Sequence, residues 1–181
     1  NYLTRTMLTT MRGSIIEDRA ARKLMQAGDS RVEVGENEKA LEIWESVIER
    51  YPRSVIRFEA HLRLADHLLE VTRDFEKARL HYEAAAGEDN DDDVLRAHAL
   101  LCMGRCFYEA GNYGKCFTMM RDVIERFPNA QEVNEAYHYI GLGHFKLGHY
   151  SRAIEALEKV GTAISAEDSK TENVEAGKRL Y

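Results

Sequence analysis

Residues 97–130, AHALLCMGRCFYEAGNYGKCFTMMRDVIERFPNA, decide the fold that we predict for this chain. Apolar residues recur at helical spacing in the first part of the stretch: Leu100, Met103 and Phe107. Gly111 and Asn112 then interrupt the pattern, as a turn between two helices does. A second set follows at helical spacing before Pro128: Cys116, Met120 and Val123. The stretch therefore predicts two helices joined by a tight turn.

The chain repeats this pattern. Residues 123–128, VIERFP, match residues 47–52, VIERYP, at an offset of 76 residues, which is twice 38. A small residue begins each predicted second helix at intervals of 38, 38 and 37 residues: Ala40, Ala78, Cys116 and Ala153. A near-constant period of this length is typical of helical repeat arrays. We therefore predict an all-α solenoid of about four helix-turn-helix repeats: residues 21–54, 59–92, 97–130 and 134–167.

The third repeat resembles the tetratricopeptide family. That family has the pattern Trp-x2-Leu-Gly-x2-Tyr, followed by Ala, Phe and Pro at later positions. The matching positions here are Leu100, Met103, Gly104, Phe107, Cys116, Met120 and Pro128. The resemblance implies a right-handed superhelical solenoid in which Gly104 and Gly141 allow helices to approach closely. It also implies a non-catalytic protein that binds other proteins.

Within that family, the longer period and the ending VIERYP-x-S of the first repeat look like bacterial cell-envelope members. These include outer-membrane assembly lipoproteins and periplasmic proteins associated with the Tol–Pal system. The resemblance implies a cell-envelope or periplasmic location, and the residues themselves leave a cytoplasmic location open.

The ends of the chain predict flanking elements around a single solenoid domain, residues 1–181. Residues 1–12 carry apolar side chains on one helical face and predict a short flanking helix. Ser14 and Glu17 have the spacing of a capping box that starts the next helix. Residues 168–181 are more polar and predict a tail or a capping helix. We expect this chain to be part of a longer protein.

Composition restricts the classes of partner. The net charge of −6 argues against non-specific binding of nucleic acid, because such binding depends on positive charge. No run of 18 apolar residues is present, so we expect no membrane insertion. The sequence contains no glycine-rich phosphate loop and no nucleophile elbow, and we therefore expect no enzymatic activity.

Two clusters could bind metal. His98, Cys102 and Cys106 lie at i, i+4 and i+8 of one predicted helix, and imidazole and thiolate are zinc ligands. Eight residues of helix span about 12 Å, too far for one ion to reach both ends. We therefore predict that the cysteines pack in the core and that the chain binds no metal or other cofactor.

The second cluster is acidic, residues 87–93, GEDNDDD. Asp89, Asp91 and Asp93 have the spacing of the first three ligands of a calcium loop. Val94 stands where that loop needs glycine, and Leu100 where it needs glutamate. We therefore expect a solvated connection whose carboxylates face the amino end of the next helix.

The resemblance implies that the first helices of the repeats line a groove for a partner segment. The family's ligand-facing positions correspond here to Arg63, His67, His98, Leu101, Arg105, Tyr108, His138, Leu142, Phe145 and Lys146. Several of these side chains are cationic or titratable, which predicts a protein or peptide partner with acidic groups. The alternatives are a structural spacer, an oligomerisation module, or a metal-binding protein that uses the His98 cluster.

Overall fold

The structure, a computed structural model, describes residues 13–163. The predicted helix at residues 1–12 and the tail at 168–181 lie outside the described residues. The described part of the chain contains no β-strand, and its α-helices are α1 (Ile15–Glu33), α2 (Asn37–Arg50), α3 (Arg57–His67), α4 (Phe75–Ala86), α5 (Asp93–Glu109), α6 (Tyr113–Arg126), α7 (Glu132–Lys146) and α8 (Tyr150–Glu158). Within residues 13–163, no helix is long and apolar enough to cross a membrane.

The helices form two compact units, Asn1–Asn90 and Asp91–Tyr181. In the N-terminal unit α1 packs on α2 and α3 packs on α4, and in the C-terminal unit the pairs are α5 with α6 and α7 with α8. Short turns join the two helices of each pair, so each pair is antiparallel. The predicted second helices therefore exist in all four repeats, whereas the single domain stays a prediction.

Glycines lie in the turns of three repeats, and the one at Gly111 confirms the predicted turn of the third repeat. Gly35, Gly111 and Gly148 have φ angles of 80°, 77° and 76°, a left-handed conformation that glycine adopts without steric cost. In the second repeat Arg73 takes this position with φ 56°, and a π-helical turn, Leu68–Thr72, precedes it. The second repeat therefore departs from regular helix geometry at the point where its turn lacks glycine.

Small residues let the helices approach each other inside each unit. A Cβ atom built on Gly28 would lie 2.3 Å from Nε1 of Trp44, which is 5% exposed. A Cβ atom on Gly104 would lie 2.6 Å from Cε of Met120, and one on Gly141 2.5 Å from Cγ of Leu157. These distances confirm the predicted close contacts at Gly104 and Gly141. Trp44, whose spacing in α2 also predicts a buried position, lies in the core.

Caps at the helix starts confirm two predictions and correct one. Ser14 and Glu17 form the predicted capping box. Asp92 accepts hydrogen bonds from the backbone amides of Val94 and Leu95, at 3.0 and 3.2 Å, as expected for the acidic connection. Asn129 and Glu132 also have capping-box spacing, which predicts that Asn129 caps the first helix of the fourth repeat, and this prediction is wrong. That helix follows Gln131, and no side chain caps it, because the chain makes a further turn after Pro128.

A histidine pair lies inside the N-terminal unit, with Nδ1 of His61 on α3 located 2.9 Å from Nδ1 of His81 on α4. Burial, together with the charges of His81 and Arg57, lowers the pKa of His61 from 6.5 to about 4. Burial also lowers the pKa of His81, against the opposing effect of Glu45. Both imidazoles are therefore neutral at pH 7.

The pair should make the folded protein sensitive to acid. Below pH 6.5 the unfolded chain binds a proton at His61 that the folded chain accepts only near pH 4, so stability should fall as the pH decreases through this range. We expect His61 to account for about 1–2 kcal/mol of this decrease in the free energy of unfolding, after allowance for screening by solvent. Urea denaturation at pH 7 and pH 5 measures how much the free energy of unfolding decreases with acid. The decrease should be smaller for His61→Gln than for the wild type, and equal decreases would contradict the assignment of the acid sensitivity to His61.

Candidate functional site

The C-terminal unit brings several of the predicted site residues together around one side chain. The ring centroids of Tyr108 on α5 and Tyr139 on α7 are 5.4 Å apart, with an edge-to-face angle of 69°. Tyr113 lies 5.6 Å from Tyr108, and His138 lies 5.7 Å from Tyr139. The guanidinium carbon of Arg105 lies 6.0 Å from the centre of the Tyr139 ring. We call these five residues the Tyr139 cluster.

Helices α5 and α7 position four residues of the cluster, and the fifth, Tyr113, begins α6. Arg105 and Tyr108 are three residues apart on α5, and His138 and Tyr139 are adjacent on α7, which packs against α5. Residues three apart lie on the same side of a helix. Edge-to-face aromatic pairs of this kind contribute about 0.5–1.5 kcal/mol beyond the area that they bury. The cluster is therefore a preformed aromatic surface, in which His138 is exposed and the two tyrosines are half-buried.

The electrostatics of the cluster keep the phenols neutral. Burial raises the pKa of Tyr139, and the nearby Arg105 opposes this effect. Burial also raises the pKa of Tyr108. Glu109 and Glu135 lie close enough to contribute to the raised pKa of Tyr139. The surface is therefore aromatic and carries charges of both signs, whereas the sequence analysis considered only its cationic and titratable side chains.

Leu101 does not belong to this surface. Its side chain is only 1% exposed, because α5 is apolar on almost every side and its residues Ala99–Met103 are all buried. A partner cannot contact Leu101 in this conformation, and its assignment to the groove is corrected. His98 is half-buried, and its Nε2 atom lies 3.5 Å from Sγ of Cys102.

Three further predicted residues lie near the carboxyl end of α7. Lys146 is exposed, and Leu142 is half-buried. Phe145 is 58% exposed, and its ring centroid lies 5.6 Å from that of Tyr150 at the start of α8. Because helical residues advance by about 100° each, Tyr139, Leu142 and Lys146 lie on one side of α7. This side continues the Tyr139 cluster toward the turn between α7 and α8.

The remaining predicted residues, Arg63 and His67, belong to the N-terminal unit. Nε of the Arg63 guanidinium lies 3.2 Å from Oδ1 of Asp29, so its charge already has an acidic neighbour. Both side chains are largely exposed, and exposed ion pairs of this kind contribute about 0–1 kcal/mol. His67 is half-buried at the end of α3.

The cysteines are buried thiols, as predicted. Cys102 and Cys106 are each 1% exposed and Cys116 is fully buried. Burial raises the pKa of the Cys116 thiol to about 12, whereas a zinc ligand must be a thiolate. Elemental analysis of protein purified without a chelator should therefore find far less than one zinc per chain. Zinc at a one-to-one ratio would instead show that His98 and Cys102 hold an ion.

Comparison with known proteins identifies the repeats. Two family models described as tetratricopeptide repeat match the chain, one over residues 25–94 and the other over residues 98–130. The second match agrees with the predicted third repeat. Both family models are described only as tetratricopeptide repeat, so the cell-envelope subtype stays a prediction. No curated protein matches the sequence at a significant level.

Similar solved structures support the fold. The crystal structure of MamA has 18% identity and a TM-score of 0.63, and the match covers 84% of this chain and 80% of that one. A second crystal structure of MamA protein has 18% identity and a TM-score of 0.62, with coverage of 77% and 70%. The MamA RS-1 ArsTM double mutant has 18% identity and a TM-score of 0.62, with coverage of 84% and 76%.

At this level of identity the likeness concerns the fold alone, and it agrees with the all-α helical-solenoid class predicted from the period. The close contacts at Gly28 and Gly104 lie within the two matched ranges. The chain is therefore built from tetratricopeptide repeats over residues 25–94 and 98–130.

Proposed function

We propose that the chain is a non-catalytic scaffold that binds a segment of another protein on the side of α5 and α7 that carries the Tyr139 cluster. Tetratricopeptide repeats generally mediate protein–protein interactions. The observation that supports this particular surface is the contact of Tyr108 and Tyr139 beside Arg105, on helices that lie side by side.

The residue types suit a binding surface. Tyrosine and arginine are enriched among the interface residues that contribute most to affinity, because they combine large contact area with hydrogen-bonding groups. The rings of the cluster are already packed against each other, so little side-chain entropy is lost when a partner binds. Phe145 adds exposed apolar area at the end of α7.

The charges favour a partner with acidic groups at defined places. Arg105 and Lys146 attract carboxylates, whereas Glu109 and Glu135 near Tyr139 repel them. A uniformly acidic segment would therefore bind less well than one that places its carboxylates next to the two cations. Affinity should decrease with added salt, since exposed charges are screened within about 10 Å at 0.1 M salt.

A pull-down from a lysate of the source organism tests the surface. The wild type is compared with Arg105→Glu/Tyr108→Ala, which reverses a charge and removes a ring of the cluster. The variant should lose most of the captured protein, while circular dichroism shows that its helices remain. The control Arg19→Glu/Ile16→Ala makes the same kinds of change at exposed positions of α1 and should capture normally. Identical captured proteins for the wild type and the cluster variant would contradict the proposal.

A further inference from the structure

A cavity of about 370 Å³ lies on the other side of α7, between α6, α7 and α8. Its apolar part consists of Ile124, Ile140 and Ala156, and Tyr137 and His144 complete the wall on α7. The volume lies within the range of about 300–1,000 Å³ that is usual for ligand pockets. The cavity lies entirely within the C-terminal unit.

The cavity and the Tyr139 cluster lie on opposite sides of the same helix. With about 100° per residue, Tyr137, Ile140 and His144 share one side of α7, and Tyr139 points about 200° away from Tyr137. No residue of the Tyr139 cluster lines the cavity. A partner in the cavity would therefore not compete directly with a partner on the Tyr139 cluster.

Charged side chains surround the apolar part of the cavity. Three are cationic, Arg121, Arg152 and Lys159, and two are acidic, Glu125 and Glu155. Among the described residues, no carboxylate lies within ion-pair distance of either arginine. Lys159 instead places its ammonium 5.6 Å from the centre of the Tyr137 ring. The positive groups are thus available to a bound anion.

His144 lies in the cavity wall, between the charged side chains and the buried core residue Phe117. Its ring stacks on Phe117, with centroids 4.2 Å apart, and only 9% of the residue is exposed. Burial, His149 and the two arginines lower the pKa of His144, so its imidazole is neutral at pH 7. The positive charge of the cavity therefore comes from Arg121, Arg152 and Lys159.

We infer that this cavity is a second binding site, for a segment of a partner protein that carries a carboxylate beside a branched aliphatic side chain. The carboxylate would lie between Arg121 and Arg152, neither of which forms an ion pair with a described residue, although Glu125 and Glu155 line the same cavity. The aliphatic side chain would cover Ile124, Ile140 and Ala156. This arrangement pairs the cations with opposite charge and removes the apolar surface from water.

Selection from a library of random linear peptides displayed on phage tests the inference with the intact chain. Peptides are selected on the wild type and then tested for binding to Arg121→Glu/Arg152→Glu. The expected peptides are acidic and aliphatic, and they should bind this variant about tenfold or more weakly than the wild type. Methyl NMR signals of Ile124 and Ile140 should shift when a selected peptide is added.

Two controls separate this site from the proposed function. Arg19→Glu/Lys23→Glu reverses the same number of charges on α1 and should bind the selected peptides like the wild type. Arg105→Glu/Tyr108→Ala should also bind them normally, because both residues lie on α5, which does not line the cavity. Selected peptides that are neutral or basic, or that bind Arg121→Glu/Arg152→Glu normally, would overturn the inference.

Discussion

Replacing Gly28 with leucine should lower the free energy of unfolding by about 3 kcal/mol, because the new side chain overpacks the contact between α1 and α2. Even a Cβ atom at this position would lie 2.3 Å from Nε1 and 2.8 Å from Cδ1 of Trp44. The indole is rigid and only 5% exposed, so it cannot move aside without disturbing its neighbours. Trp44 belongs to the same hydrophobic core cluster as Met25 and Leu64.

Gly114→Leu provides the matched control. Gly114 lies in the first turn of α6, and a Cβ atom there would have no atom within 4 Å. Leucine has a higher helix propensity than glycine, so this variant should be as stable as the wild type or slightly more stable. Urea denaturation followed by circular dichroism measures both effects. Equal stabilities of the two variants would show that Trp44 does not pack on Gly28.

The second large effect is expected in partner binding. Tyr139→Ala should raise the dissociation constant of the captured partner by about 30-fold, which corresponds to about 2 kcal/mol and is typical of a central interface residue. The ring of Tyr139 contacts Tyr108 and His138 and lies beside Arg105, so its removal disturbs the whole cluster. Calorimetric titration of the purified partner gives the dissociation constants directly.

Tyr139→Phe distinguishes the ring from its hydroxyl group. Phenylalanine keeps the edge-to-face contact with Tyr108, and we expect the dissociation constant to change by less than about threefold. A large loss in Tyr139→Phe would mean that the hydroxyl group binds the partner. An unchanged dissociation constant in Tyr139→Ala would contradict the central position of this residue.

The repeat architecture could be predicted because it depends on spacing along the chain. The small residues Ala40, Ala78, Cys116 and Ala153 recur at nearly constant intervals, and all four are buried in second helices. Close helix contacts at Gly104 and Gly141 follow from the same register. A feature that recurs at the repeat interval can therefore be predicted from the sequence alone.

The interaction surface could be predicted only in part, because it depends on contacts between helices. Tyr139 follows His138 directly, but only the packing of α7 on α5 brings it to Tyr108. Its spacing from Leu142 and Lys146 was a usable signal, since the three positions share one helical face. Leu101 was wrongly assigned to the groove because the assignment used only its position in the family's repeat pattern. That pattern does not reveal that α5 is buried on nearly all sides.

Other features had no signal in the sequence. His61 and His81 are 20 residues apart, and their contact depends on how α3 packs against α4. The cavity between α6, α7 and α8 combines residues from three helices, and its volume depends on side-chain conformations. Such features follow from packing rather than from local pattern.

Site-specific photo-crosslinking tests the proposed surface most directly. A benzophenone amino acid replaces His138, which is exposed beside Tyr139, and in a second protein it replaces Val34, which is 69% exposed in the turn after α1. Both proteins are irradiated with the captured partner. We predict that the partner is crosslinked from position 138 and not from position 34. Crosslinks from position 34 alone would contradict the assignment of partner binding to the Tyr139 cluster.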